Sequence, residues 1–188
     1  MNRSAGRTLP LLFPVGGVCR GVTLTETLIV LCTTLLALGA AVPGFNEARA
    51  RQQVEAVAAQ LETDLQLTRG LAVAQNRTLR LEFGQNEHGS CYIVHAGAAG
   101  ECRCAAGGAA CDAGVQPLRS VLLPAAEAVS VAANVRSMVF DPVKGTVTPT
   151  STMQVIGRNG LAIHQVINIM GRVRSCTPDT AIPGLRAC

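Results

Sequence analysis

At 188 residues, 48% of them apolar, with 16 basic and 12 acidic side chains, the chain has room for one domain and a separate anchor. One tyrosine, no tryptophan and 3% aromatics argue against a base-stacking platform for single-stranded nucleic acid. The histidines, His88, His95 and His164, are scattered, with no nucleophile–base grouping and no phosphate-cradling glycine loop, so the chain reads as noncatalytic and without a cofactor.

Residues 1–21 hold Arg3, Arg7 and Arg20 and no acid, and Val22–Val42 is an apolar run of 21 residues with one charge, Glu26. About 20 apolar residues cross a bilayer. Positive residues mark the side that stays in the cytoplasm, so the rest of the chain is expected outside it. A conventional secretory signal cut within G-A-A-V-P-G, after Leu38, is the alternative. A lipoprotein signal at Cys19 is disfavoured by the bulky Val18 and by an apolar run that follows the cysteine.

The stretch Gly21, Val22, Thr23, Leu24, Thr25, Glu26, Thr27, Leu28 resembles the cleavage region of type IV prepilins and pseudopilins. The resemblance implies cutting by a prepilin peptidase between Gly21 and Val22, with the helix kept on the mature protein and anchored in the inner membrane. It gives Glu26 a role in registering one subunit against the next. A carboxylate four residues from a freed α-amino group lies near it, or near that of a neighbouring subunit, and paired charges are tolerable in lipid where a lone one is costly. Val22 departs from the family's usual phenylalanine. An ordinary signal anchor with an incidental acid is the plainer alternative.

Pro43 and Gly44 are expected to break or kink the helix where the apolar run ends. Val54, Val57, Ala58, Leu61, Leu65, Thr68, Leu71 and Ala72 then recur at steps of three and four, an amphipathic helix that needs a covering layer. Leu79, Leu81 and Phe83 alternate with Arg80 and Glu82 as in a half-buried strand. Further strands are expected at 91–95, 118–123, 129–135, 138–140, 153–156 and 161–169, with Asn159-Gly160 as a hairpin turn between the last two. The stretch 96–114, rich in Gly, Ala and Cys, reads as a loop. The expected organisation is a leader over 1–21, a transmembrane helical segment over 22–43, an amphipathic helical half over 44–75 and a β-rich periplasmic head over 76–188.

Leu61 to Phe83 resembles the helix-to-first-strand region of the GspH/FimT branch of pseudopilins and minor pilins, and I-N-I-M-G-R-V-R-S-C at 167–176 resembles its closing strand. The resemblance implies an α+β, pilin-like fold, other pilins and minor pilins as partners, and a place in a pilus or pseudopilus.

Six cysteines fall in the expected head: Cys91, Cys102, Cys104, Cys111, Cys176 and Cys188. An even set in an exported domain points to disulfides. Cys176 with Cys188 is the first pairing expected, worth roughly 3 kcal/mol by loop-closure entropy. Cys91 and Cys111 would then each take one of Cys102 and Cys104. A zinc site is the rival, but the spacing is not a standard one and no histidine joins it, so no metal is expected. Cys32 reads as a small apolar filler.

Charge is uneven along the chain. Val22–Asp141 carries 8 arginines against 11 acids, whereas Pro142–Cys188 carries five basic residues, Lys144, Arg158, Arg172, Arg174 and Arg186, against one acid. Arginine offers a planar fork of donors suited to phosphate. In G-R-V-R at 171–174 an extended backbone puts Arg172 and Arg174 on one face, about 6.6 Å apart. Gly171 beside them removes a side chain, which would let a phosphodiester approach the backbone. A Cys176–Cys188 bridge would bring Arg186 to the same side.

Gly171, Arg172 and Arg174 match the G-R-x-R element by which FimT-type minor pilins bind DNA in natural transformation. The resemblance implies DNA as a partner, held by its phosphate backbone without sequence preference. Arg158, Lys144 and Arg186 are added on charge and loop geometry alone. Two competing readings remain: a solvated strand edge whose charges blunt aggregation, and a GspH-like structural subunit of a type II secretion pseudopilus or a pilus-priming minor pilin.

Overall fold

The computed structural model describes residues 21–158, 160–178 and 182–188. The fold is α+β: helix α1 (Leu24–Ala74) precedes twelve strands among the described residues. These are β1 (Leu79–Asn86), β2 (Gly89–His95), β3 (Cys102–Ala105), β4 (Gly108–Cys111), β5 (Pro117–Pro124), β6 (Val129–Ala133), β7 (Ser137–Phe140), β8 (Val147–Thr148), β9 (Ser151–Gly157), β10 (Ala162–Ile167), β11 (Val173–Thr177) and β12 (Arg186–Ala187). The chain divides into two compact units, Met1–Val42 and Pro43–Cys188.

In the first unit, Thr23 caps α1. Its hydroxyl accepts the Glu26 N–H at 3.4 Å, the start of a capping box that places an acid in the first turn, where the helix dipole favours it. The threonines that interrupt the apolar run are satisfied within the helix: Thr27 donates to the Leu24 carbonyl at 2.8 Å and Thr34 to that of Val30 at 2.9 Å. Such back-bonding lets a polar side chain sit in an apolar medium. Pro43 does not end α1. A proline removes one helical hydrogen bond, and the turns on either side of it propagate by their own.

In the second unit, Val54, Ala58, Leu61, Leu65 and Ala72 of α1 are buried in one core with residues of two five-stranded sheets. The first sheet has the order β5-β2-β1-β7-β8 and the second β12-β11-β10-β9-β6. Tyr92, Leu81, Met138 and Phe140 come from the first; Val131, Met153, Val155, Ile163 and Ile167 come from the second. A polar cluster ties α1 to the first sheet. The Tyr92 hydroxyl donates to Asp64 Oδ2 at 2.7 Å, and Arg119 Nε lies 2.8 Å from Asp64 Oδ1. Burial, helped by the Asp64 carboxylate, pushes the Tyr92 phenol well above its ordinary value, while bonding to Asp64 raises Arg119.

Residues 96–114 are not the expected loop, since they contain the hairpin β3–β4. Cys102 and Cys111 face each other across it and are bridged, and Cys91–Cys104 fastens it to β2. Alternation of apolar and polar residues could not reveal this pair, because Gly and Ala fill it and covalent bonds hold it. The hairpin covers the outer face of the first sheet, where Cys91, Ile93 and Cys102 form a small second core with Leu122 and Val115. Gly84 of β1 is needed there, because a Cβ at that position would collide with Cys104 Sγ. The expected strand over 161–169 also ends early, at Ile167, where a turn intervenes before β11. Asn159 lies outside the described residues; Gly160 has a φ of +80° and β9 and β10 pair antiparallel.

Candidate nucleic-acid interface

The turn at 168–172 sets the start of β11. The Gly171 N–H donates to the Asn168 carbonyl at 2.9 Å, the Asn168 N–H to the Arg172 carbonyl at 3.1 Å, and the Arg172 N–H to Asn168 Oδ1 at 2.9 Å. Arg172 therefore leaves a closed turn, and Arg174 follows within β11 opposite Val166. Ser175, the next residue, faces α1, donating to Glu62 Oε2 at 3.4 Å. Alternation then puts Arg174 on the outer face. Both arginines are exposed.

The tail adds Arg186. Strand β12 lies parallel to β11 with Arg186 opposite Cys176, the Cys188 N–H donates to the Thr177 carbonyl at 2.9 Å, and Cys176 is bridged to Cys188. Arg186 is exposed and sits diagonally from Arg174, a separation of about 7–8 Å for such neighbours. Among the described residues none of the three guanidinium groups has a carboxylate partner, whereas Arg51, Arg103 and Arg119 all do.

Lys144 is brought close as well. Its turn, 141–146, abuts the 168–172 turn, with the Val147 N–H donating to the Ile169 carbonyl at 2.9 Å. Asp141 in that turn is engaged by its own backbone, accepting the N–H groups of Val143 and Lys144 at 2.9 and 2.7 Å. Arg158 is not brought to this edge. It follows the far end of β9, roughly 20 Å along the strand from Ser151, and donates to the carbonyls of Ala125 and Ala126 at 3.3 and 2.6 Å. Its cation is spent on closing the β5–β6 turn.

Gly171 also has a different task from the one its sequence suggested. It is buried, with a φ of +72°, and a Cβ there would lie 2.7 Å from Arg69 Cδ and 2.9 Å from Arg69 Nε. Arg69, not a phosphate, occupies the space that the missing side chain leaves. Its Nε donates to the Gly145 carbonyl at 2.8 Å.

Two other polar features differ in character from this edge. His95 is buried, with Nδ1 accepting the Gly97 N–H at 3.1 Å and Nε2 lying 3.3 Å from Glu82 Oε2. Glu82 Oε1 accepts the Gly100 N–H at 2.6 Å, so the pair braces the loop after β2. A groove of about 910 Å³ beside it has charged lining of mixed sign, Glu82 against Arg103 and Arg136, unlike the cationic edge. Among the described residues no group of three His, Cys, Asp or Glu could hold a metal.

A family model described as Type II transport protein GspH matches residues 57–171, more than half of the chain. The chain belongs to the GspH family. The match to the GspH model ends at Gly171, one residue before Arg172. No curated protein matches the chain. Among solved structures, the type IV minor pilin FimU of Pseudomonas aeruginosa (strain PAO1) is 21% identical, with 66% of this chain and 88% of that one covered and a TM-score of 0.49. The minor pseudopilin EpsH from the Type 2 Secretion System of Vibrio cholerae is 12% identical, covering 66% of this chain and 97% of that one, with a TM-score of 0.48.

Proposed function

We propose that this GspH-family chain is a minor pilin of FimT type that binds DNA through its phosphate backbone, without sequence preference, in the service of natural transformation. One observation carries the reading: Arg172 in the turn before β11, Arg174 on β11 and Arg186 on β12 are all exposed, with no carboxylate partner among the described residues. Unpaired arginines on a rigid strand suit phosphate, and their contacts release counterions from the duplex. Under this reading a prepilin peptidase cuts between Gly21 and Val22, Glu26 meets a neighbouring subunit's amine in the inner membrane, and the head folds with its three disulfides in the oxidising periplasm.

The test is a gel-shift titration of the full chain in nonionic detergent on a random-sequence duplex, against Arg172→Ala/Arg174→Ala. The double variant is expected to bind at least about tenfold more weakly, with a salt slope shallower by about 1.8, or 0.9 for each phosphate it no longer neutralises. Equal affinity in the two forms would remove the reading.

The end of the family match at Gly171 favours a second reading, in which what the family shares excludes the three arginines. The chain would then be a structural subunit of a type II secretion pseudopilus, or a pilus-priming minor pilin, with no affinity for DNA.

A further inference from the structure

Arg69 is a cation that a sum of charge by sequence region misses. It lies on α1, outside the basic last quarter of the chain, yet the fold carries it to the meeting point of the 141–146 and 168–172 turns. It is partly buried, and its Nε is held by the Gly145 carbonyl at 2.8 Å. Its guanidinium makes no ion pair among the described residues. Of the acids on these elements, Asp141 uses Oδ1 to accept two backbone N–H groups of its own turn and Glu62 accepts from Ser175, and neither is ion-paired with Arg69. Exposed Lys144 and Arg172 stand one residue from Gly145 and Gly171, the two glycines against which Arg69 packs. A guanidinium that is partly desolvated and lacks a counterion favours an anion from outside.

We infer that Arg69, Lys144 and Arg172 form one anion site, built across the two turns, that takes a phosphodiester of duplex DNA. Arg69 has two jobs in it. Its Nε fixes Gly145, and so the turn that bears Lys144, while its outer nitrogens remain as a fork for the phosphate. Gly171 is the seat that lets Arg69 reach this position, which explains why the glycine of G-R-V-R is buried. The site deepens the DNA reading and rests on it. It extends the contact from a single strand edge to a corner made by helix, turn and strand.

The experiment is fluorescence anisotropy of a labelled random-sequence duplex with the full chain in nonionic detergent, across a salt series. Arg69→Gln is expected to weaken binding about fivefold and to lower the salt slope by about 0.9, and Arg69→Lys, which keeps the charge, to restore the slope. A folded Arg69→Gln protein with the wild-type slope overturns the inference. If that variant loses its thermal unfolding transition, the wild-type Arg69 Nε–Hε resonance is followed during titration with the duplex instead. A shift supports the site, and an unmoved resonance overturns it. Arg172→Ala/Arg174→Ala run alongside separates the two levels. Binding that the double variant loses but Arg69→Gln keeps in full leaves the DNA reading standing and removes only the corner site.

Discussion

The two sheets of the head treat their outer faces in opposite ways. Strand β2 of the first sheet is buried on both sides, Tyr92 and Val94 toward α1 and Cys91 and Ile93 under the bridged hairpin. Strand β9 of the second alternates strictly, with Ser151, Met153, Val155 and Gly157 buried and the residues between them half-buried. Gln154 and Thr152 lie on that outer face beside His164 and Val166, and Arg174 and Arg186 continue it toward the edge. One face is closed by covalent bonds and the other is left bare with positive charge along its rim. The contrast teaches that burial by itself does not select the first sheet's outer face as a site, whereas the uncovered face, whose rim cations have no carboxylate partner among the described residues, is the one to test for a partner.

The comparison can be attacked first at the cover. Cys102→Ser/Cys111→Ser is expected to lower stability by about 3 kcal/mol, read from thermal or denaturant unfolding, and to leave DNA affinity unchanged. A drop in affinity there would place the interface on the wrong sheet. Asp64→Ala removes the acceptor of the buried Tyr92 hydroxyl and should cost about 2 kcal/mol, again with no change in DNA binding. On the open side the expectation reverses: Cys176→Ser/Cys188→Ser should weaken DNA binding about threefold, because Arg186 is released from the array. Arg158→Ala is the smallest change, with stability altered by about 0.5 kcal/mol and affinity within error.

The polar cluster under the first sheet also gives a pH test. Burial and Asp64 hold the Tyr92 proton in the folded state more tightly than in the unfolded chain, where a phenol titrates near 10. The stability this contributes is full below that ordinary value and is lost as pH rises beyond it toward the folded value. Because Tyr92 is the only tyrosine, tyrosinate absorbance reads it alone. The absorbance is expected to appear together with loss of folded circular dichroism, and its appearance in a still folded protein near pH 10 would show the phenol to be open to solvent.

Much of this was legible in the residues themselves. The steps of three and four in Val54, Ala58, Leu61, Leu65 and Ala72 marked the buried stripe of α1, and alternation marked β1 and β9. What escaped had physical causes. The hairpin β3–β4 is only four residues a strand, is built largely of Gly, Ala and Cys, and is held by disulfides rather than by an apolar face of large side chains. Arg158 counts as a free charge in a sum over sequence, but hydrogen bonds to Ala125 and Ala126 fix it elsewhere. Arg69 is separated from Gly171 by about a hundred residues, so only the folded chain reveals that one is the seat of the other.

The bridge at the end of the chain reaches beyond stability. Strand β12 is two residues long, and the Cys176–Cys188 bridge holds it in place together with Ile182, buried in the main core just before it. If the DNA reading holds, a chain whose Cys176 and Cys188 are still thiols would lack a fixed Arg186 and bind polyanions about threefold more weakly than the bridged form.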